Sequence, residues 1–193
     1  MDIRTKFEIY MWIGVSLYIL FLLYIIIYKI VRVKRQKKTV MIQDDETQKA
    51  GITKTQDLIY YGPTCVCRFI ADDNEKVVYV SSSFSNDQLK KIPYKEIISV
   101  HPSIRMTNEG SYSGAIIGGI LGGRYGSYKG ATTGTIYVHD YILILSRRNV
   151  KEPEFIFPLI DNVKMKQSNF FYINAVRFYD EVKSVIRAIK SLR

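Results

Sequence analysis

Twenty consecutive residues without a charged side chain, Ile9 to Tyr28 (IYMWIGVSLYILFLLYIIIY), limit what this chain can fold into more than any other feature. At about 1.5 Å per residue, a helix of that length spans about 30 Å, the thickness of a bilayer's hydrocarbon core. The run is apolar on every face, whereas a helix packed on a soluble core keeps a polar side. Tyr10 and Trp12 lie near one end, Tyr24 and Tyr28 near the other, where amphipathic rings settle at the two lipid–water interfaces. The rival reading is a cleaved signal sequence, which has a shorter apolar stretch, a small-x-small cleavage site after it, and no strongly basic segment there. The expectation is a transmembrane helix over residues 9–31 behind a short external N-terminus, residues 1–8.

Lys/Arg asymmetry sets the orientation. Arg4 and Lys6 precede the span; Lys29, Arg32, Lys34, Arg35, Lys37 and Lys38 follow it. The following side is therefore expected in the cytoplasm, with the span in the cell (inner) membrane and the N-terminus outside. The same six residues suit anionic lipid headgroups, each worth about 1 kcal/mol near the surface. Charge balance matters here. The chain carries a net charge of +10, and residues 1–54 hold 10 Lys/Arg against 5 Asp/Glu, while residues 55–193 hold 18 against 13. Half of the surplus thus belongs to the short membrane-proximal part, which favours a membrane surface over nucleic acid as partner.

Residues 32–56 read as a basic juxtamembrane segment and linker. Thr39 to Lys54 is polar without an apolar period, which predicts a tether, and Asp44, Asp45 and Glu46 read as a solvated acidic run rather than a metal site. From residue 57 the pattern is β. Thr64–Ala71 alternates and is rich in β-branched and aromatic residues, Asp72–Glu75 is turn chemistry, and Lys76–Ser82 returns. Leu89–Tyr94, Ile97–Val100, Ile136–Ser146 and Glu154–Leu159 are further strands, with a short extra one over Asp57–Tyr61. The period then changes. Apolar residues at Ala175, Phe178, Val182, Val185, Ile189 and Leu192 predict an amphipathic C-terminal helix with Asn174 as its N-cap. Residues 57–193 are thus a mainly-β (α+β) domain, a curved sheet or barrel closed by one helix.

The stretch KVVYVSSSFSNDQLKKIPYKEIISVHPS resembles the middle of bacterial pleckstrin-homology-like and GRAM-type domains. There a strand and turn precede a K-I-P-Y-x-x-I-x-x-V segment, matched by Lys91, Ile92, Pro93, Tyr94, Ile97 and Val100. The resemblance covers residues 57–105 and 135–193, including a closing helix that starts around Asn174 to Phe178. It implies a seven-stranded barrel capped by a helix and used for binding rather than catalysis. Phosphoinositide-binding members carry Lys/Arg in the first strand–strand loop. Here that loop is Tyr61-Gly62-Pro63, so phosphoinositide binding is not implied.

Between two strands, residues 110–134 carry glycine at 110, 114, 118, 122, 126, 130 and 134, with Gly119 and Gly123 added; nine of the chain's 12 glycines fall there. A flexible linker has no reason to keep a period of four. That spacing puts small residues on one side of a helix, where a second helix approaches closely. The expectation is a glycine-rich helical hairpin, Ser111–Leu121 and Tyr125–Thr133, that contacts lipid or a second copy along Gly110, Gly114, Gly118, Gly122, Gly126, Gly130 and Gly134.

No constellation of catalytic residues, cofactor motif or metal-ligand spacing appears. Cys65 and Cys67 with His101 and His139 match no zinc pattern. No phosphate-binding loop or dinucleotide fingerprint is present. The functional expectation is a membrane-anchored, non-enzymatic binding or scaffold protein. It needs no cofactor, and its partners are the bilayer, anionic headgroups, further copies of itself or another membrane protein. The alternative is a small pore-forming or toxin-like protein that oligomerises through the glycine ladder.

Overall fold

The computed structural model describes residues 3–82, 88–109, 116–117, 135–148 and 150–191. The chain divides into two units, Met1–Met41 and Ile42–Arg193.

Helix α1 runs Ile3–Lys49 as 47 continuous residues, about 70 Å at 1.5 Å per residue. It therefore passes through Thr39–Lys49, where the sequence pattern predicts a tether. Local propensity explains the correction. No Pro or Gly interrupts Val15–Lys49, and Met41, Gln43, Glu46, Gln48 and Lys49 are good helix formers among residues that all tolerate a helix. The helix stops at a Schellman turn. Gly51 takes φ +64°, its N–H donates to the Gln48 carbonyl at 3.1 Å, and the Ile52 N–H donates to the Thr47 carbonyl at 3.0 Å.

Among the described residues, nine strands follow. β1 (Gln56–Tyr61), β2 (Val66–Asp72), β3 (Val77–Ser82) and β4 (Lys90–Pro93) form an antiparallel sheet in the order β1-β2-β3-β4. β5 (Ile97–Glu109), β6 (Ile116–Ile117), β7 (Thr135–Arg147), β8 (Glu154–Ile160) and β9 (Met165–Lys166) form a second sheet, ordered β6-β5-β7-β8, with β9 on β7. Helix α2 spans Phe170–Ser191. One core joins both sheets to α2: Phe69, Val80 and Ile92 from the first sheet, Leu143, Leu145 and Phe157 from the second, and Phe178, Val182 and Ile189 from the helix.

At the β1–β2 turn, the Gly62 N–H donates to the Cys65 carbonyl at 2.8 Å. A Cβ on Gly62 would meet the Leu159 carbonyl oxygen at 2.7 Å, so only glycine lets the turn close onto β8. Every residue of β2 is buried, because both faces are covered. Inward lies the shared core. Outward, Ile70, Val77 and Tyr79 form a second small cluster under Ile52 and Leu89. The prolines that fall within strands occupy edge positions: Pro93 ends β4, Pro102 lies where β5 pairs β7 alone, and Pro158 lies in β8.

Four further sequence expectations are corrected. β5 continues nine residues past Val100 to Glu109. α2 begins at Phe170, so Asn174 is interior; Asn169 caps the helix, its Oδ1 accepting from the Phe171 N–H at 2.9 Å. Ile116 and Ile117, expected inside a helix, pair as a strand with Thr107 and Met106. Val185 of the predicted α2 stripe is only half-buried, whereas Ile186 is fully packed.

A candidate membrane anchor and the charge cluster of the domain

Within the first unit, the described side chains from Tyr10 to Tyr28 are apolar and almost all exposed. α1 is the one helix among the described residues long and apolar enough to cross a membrane. Tyr24 and Tyr28, one turn apart, stack with ring centroids 6.4 Å apart. Lys29, Arg32, Lys34, Arg35, Lys37 and Lys38 all lie on α1. At about 100° per residue they are spread round the helix axis at intervals of about 60°. They form a collar rather than a stripe, so cations face outward in every direction just past the apolar run. A collar matches a planar layer of headgroups around a helix; a stripe would match a single docking partner.

Within the second unit, the polar feature that the sequence pattern does not disclose is a charge cluster built on one buried arginine. Arg68 sits mid-strand in β2 and is 1% exposed. Its Nε donates to Asp57 Oδ1 at 2.9 Å, and its Nη2 donates to Asp57 Oδ2 at 2.6 Å and Asp44 Oδ1 at 2.7 Å. Lys54 Nζ closes the ring, 2.6 Å from Asp44 Oδ1 and 3.4 Å from Asp57 Oδ2. Burial works against charge on Arg68, but the hydrogen bonds to Asp57 and Asp44 outweigh it and hold the guanidinium protonated. Asp44 is held below the usual carboxylate range, first by Lys54 and then by Arg68. Asp44 is therefore a structural partner, not merely part of a solvated run. Nearby, Gln43 Nε2 donates to Ser81 Oγ at 2.8 Å, and the Thr53 N–H donates to Asp72 Oδ2 at 3.1 Å. Together these contacts pin residues 43–57 across the outer face of the first sheet. One signal was available beforehand: an arginine inside TCVCRFIA, a run otherwise apolar enough to be buried, demands a carboxylate opposite.

Cys65 and Cys67 are both buried, with sulfurs 3.8 Å apart, and Cys65 Sγ lies 2.8 Å from the Pro158 carbonyl oxygen. Burial pushes the Cys67 thiol well above its usual range, away from the reactive thiolate. His139 Nε2 pairs with Thr107 Oγ1 at 2.8 Å. No group of three or more His, Cys, Asp or Glu among the described residues is arranged to hold a metal ion. A groove of about 420 Å³ between α2 and the start of β1 has Leu58, Ala71, Val185 and Ile189 on its walls and the carboxylates of Asp73 and Glu181 at its rim. Its lining includes no His, Cys, Lys or Arg; its polar side chains are Gln56, Asp73, Glu181 and Ser184.

The seven ladder glycines, 110 to 134, lie outside the described residues. No protein-family model matches the chain, and neither a curated protein nor a solved structure is significantly similar to it.

Proposed function

We propose that this protein is a single-pass, membrane-anchored, non-enzymatic binding or scaffold module, with its N-terminus outside the cell and its domain at the cytoplasmic face. The observation that carries the reading is the sequence of an exposed, charge-free helical segment followed directly by a six-cation collar on the same helix. Leaving any of those cations in hydrocarbon would cost several kcal/mol, so the collar stops the helix from sliding further in. We read the domain as pleckstrin-homology-like. A four-stranded meander, a second meander β5-β7-β8 and a C-terminal helix on their common core support that reading.

The topology is tested by adding a cysteine at the C-terminus and treating intact cells with a membrane-impermeant thiol reagent. The expected result is no labelling until the cells are permeabilised. Labelling from outside reverses the orientation, and extraction of the protein by alkaline carbonate rejects the anchor altogether.

The glycine ladder is the proposed contact between copies. Leucine side chains at the ladder obstruct close approach. Gly118→Leu combined with Gly122→Leu is expected to reduce crosslinked oligomer in membranes, while Ser111→Leu with Ser127→Leu, off the ladder, leaves it in place. Equal behaviour of the two pairs would show the spacing to be incidental.

A further inference from the structure

Phe170, the first residue of α2, is 70% exposed, and Ile173, one turn on, is 49% exposed. Arg177 is exposed a further turn along, so positions 170, 173 and 177 line one face of the helix. Just before the helix, the Asn169 N–H donates to the Lys166 carbonyl at 2.9 Å, closing a turn between Lys166 and the start of α2. Lys164 lies over the Tyr137 ring with Nζ 4.4 Å from its centroid. Between Asn162 and Tyr179 the charged residues are Lys164, Lys166 and Arg177, with no carboxylate among them; Asp161 and Asp180 flank the segment.

The position of this turn in the domain is fixed by contacts. Tyr60 Oη donates to the Phe171 carbonyl at 3.2 Å and so ties the start of α2 to the end of the first sheet where β1 turns into β2. The domain's own first residues lie toward the same end. Gln43 and Asp44 meet Ser81 and Arg68, and only by Thr53 has the chain travelled to Asp72 at the far end of β2.

We propose that the first turn of α2 is a second lipid contact, in which Phe170 and Ile173 enter the headgroup–acyl boundary and Lys164, Lys166 and Arg177 lie against anionic headgroups. The proposal rests on the reading of α1 as an anchor, which tethers the domain to a bilayer. The occupant is an anionic membrane surface because only cations accompany the apolar pair from Lys164 through Arg177, with Asp180 and Glu181 following a turn further along the same face, the pattern of an element whose first turn lies in the interface.

The test uses the full chain in vesicles of phosphatidylcholine, with and without phosphatidylserine. An environment-sensitive thiol dye is placed at Ile173→Cys and, as a control, at the exposed Lys151→Cys. The expected result is a blue-shifted emission from position 173, quenched by lipids brominated in their acyl chains. The quenching grows severalfold with phosphatidylserine and is lost on adding Phe170→Glu or the pair Lys164→Glu and Lys166→Glu. Position 151 stays water-exposed throughout. If position 173 is quenched by aqueous iodide as readily as position 151 while the protein resists alkaline carbonate, this inference falls and the anchor stands. If carbonate strips the protein from the vesicles, both fall. Protection of position 173 by an added protein but not by lipid also overturns the proposal, in favour of a protein partner.

Discussion

At the scale of single residues, Arg68 and Asp57 are where the domain is most exposed to damage. A guanidinium 1% exposed and held bidentately by one carboxylate cannot lose that partner cheaply. Asp57→Ala leaves Arg68 buried with Asp44 as its remaining carboxylate. The expected cost is about 3 kcal/mol, the lower end for breaking a buried pair, because Asp57 itself is partly solvated. Adding Arg68→Met should recover much of that loss, since a methionine of similar length needs no counter-ion. Both are measured as shifts in the denaturation midpoint by circular dichroism; the only tryptophan, Trp12, lies outside the domain and cannot report on it. A double variant no better than Asp57→Ala would mean that packing, not charge, makes this site sensitive.

At the scale of elements, Gly51 decides where α1 ends. Its φ of +64° lies in the left-handed region, and a Cβ there would meet nothing within 4 Å, so conformation alone sets the penalty. Gly51→Ala is expected to cost about 1–2 kcal/mol and Gly51→Asn less, because asparagine tolerates that region. An equal effect from the two would point to lost solvation or packing instead. The same glycine shows which elements were legible in the sequence. β2, β3, β7 and β8 are readable because their alternation and β-branched content match a pleated surface. The end of α1 is also written in the sequence, as Gly51 followed by apolar Ile52, but a polar helix without an apolar period hides the segment between. β5 past Val100 is hidden by Pro102 and a run of polar residues, which an edge position accommodates and local propensity opposes. The start of α2 is masked by Phe170-Phe171-Tyr172-Ile173, a strand-like run that Asn169 caps into a helix. The apolar run of the candidate anchor and the basic residues after it were readable from the order of residues alone. The Arg68 cluster was not, because its three partners come from α1, the segment before β1, and β1 itself.

At the scale of the whole molecule, acid should loosen the domain through a small set of carboxylates. Asp44 is held below its ordinary value of 3.8, first by Lys54 and then by Arg68. Glu75 is lowered by Lys91 and then Tyr79, and Glu152 by Lys90, each from an ordinary 4.5. A carboxylate depressed in the folded state adds stability that is fully present above its unfolded pKa and is lost as pH falls through the folded one. The denaturation midpoint should therefore be level at neutral pH, begin to fall near about pH 4.5, and keep falling below 3.8. Asp44→Asn should shallow the lower part of that decline; an unchanged slope would show that Asp44 contributes nothing to it. The prolines at the sheet edges act on this same scale. On the proposed anchoring, chains confined to a membrane meet far more often than free ones, because two-dimensional confinement raises their effective concentration. Each meeting offers an open edge of backbone N–H and C=O groups to a neighbour's strand, the first step toward fibrils. Pro93, Pro102 and Pro158 remove a donor from β4, β5 and β8 in turn, so crowding on the membrane cannot zip these edges into a continuous ladder.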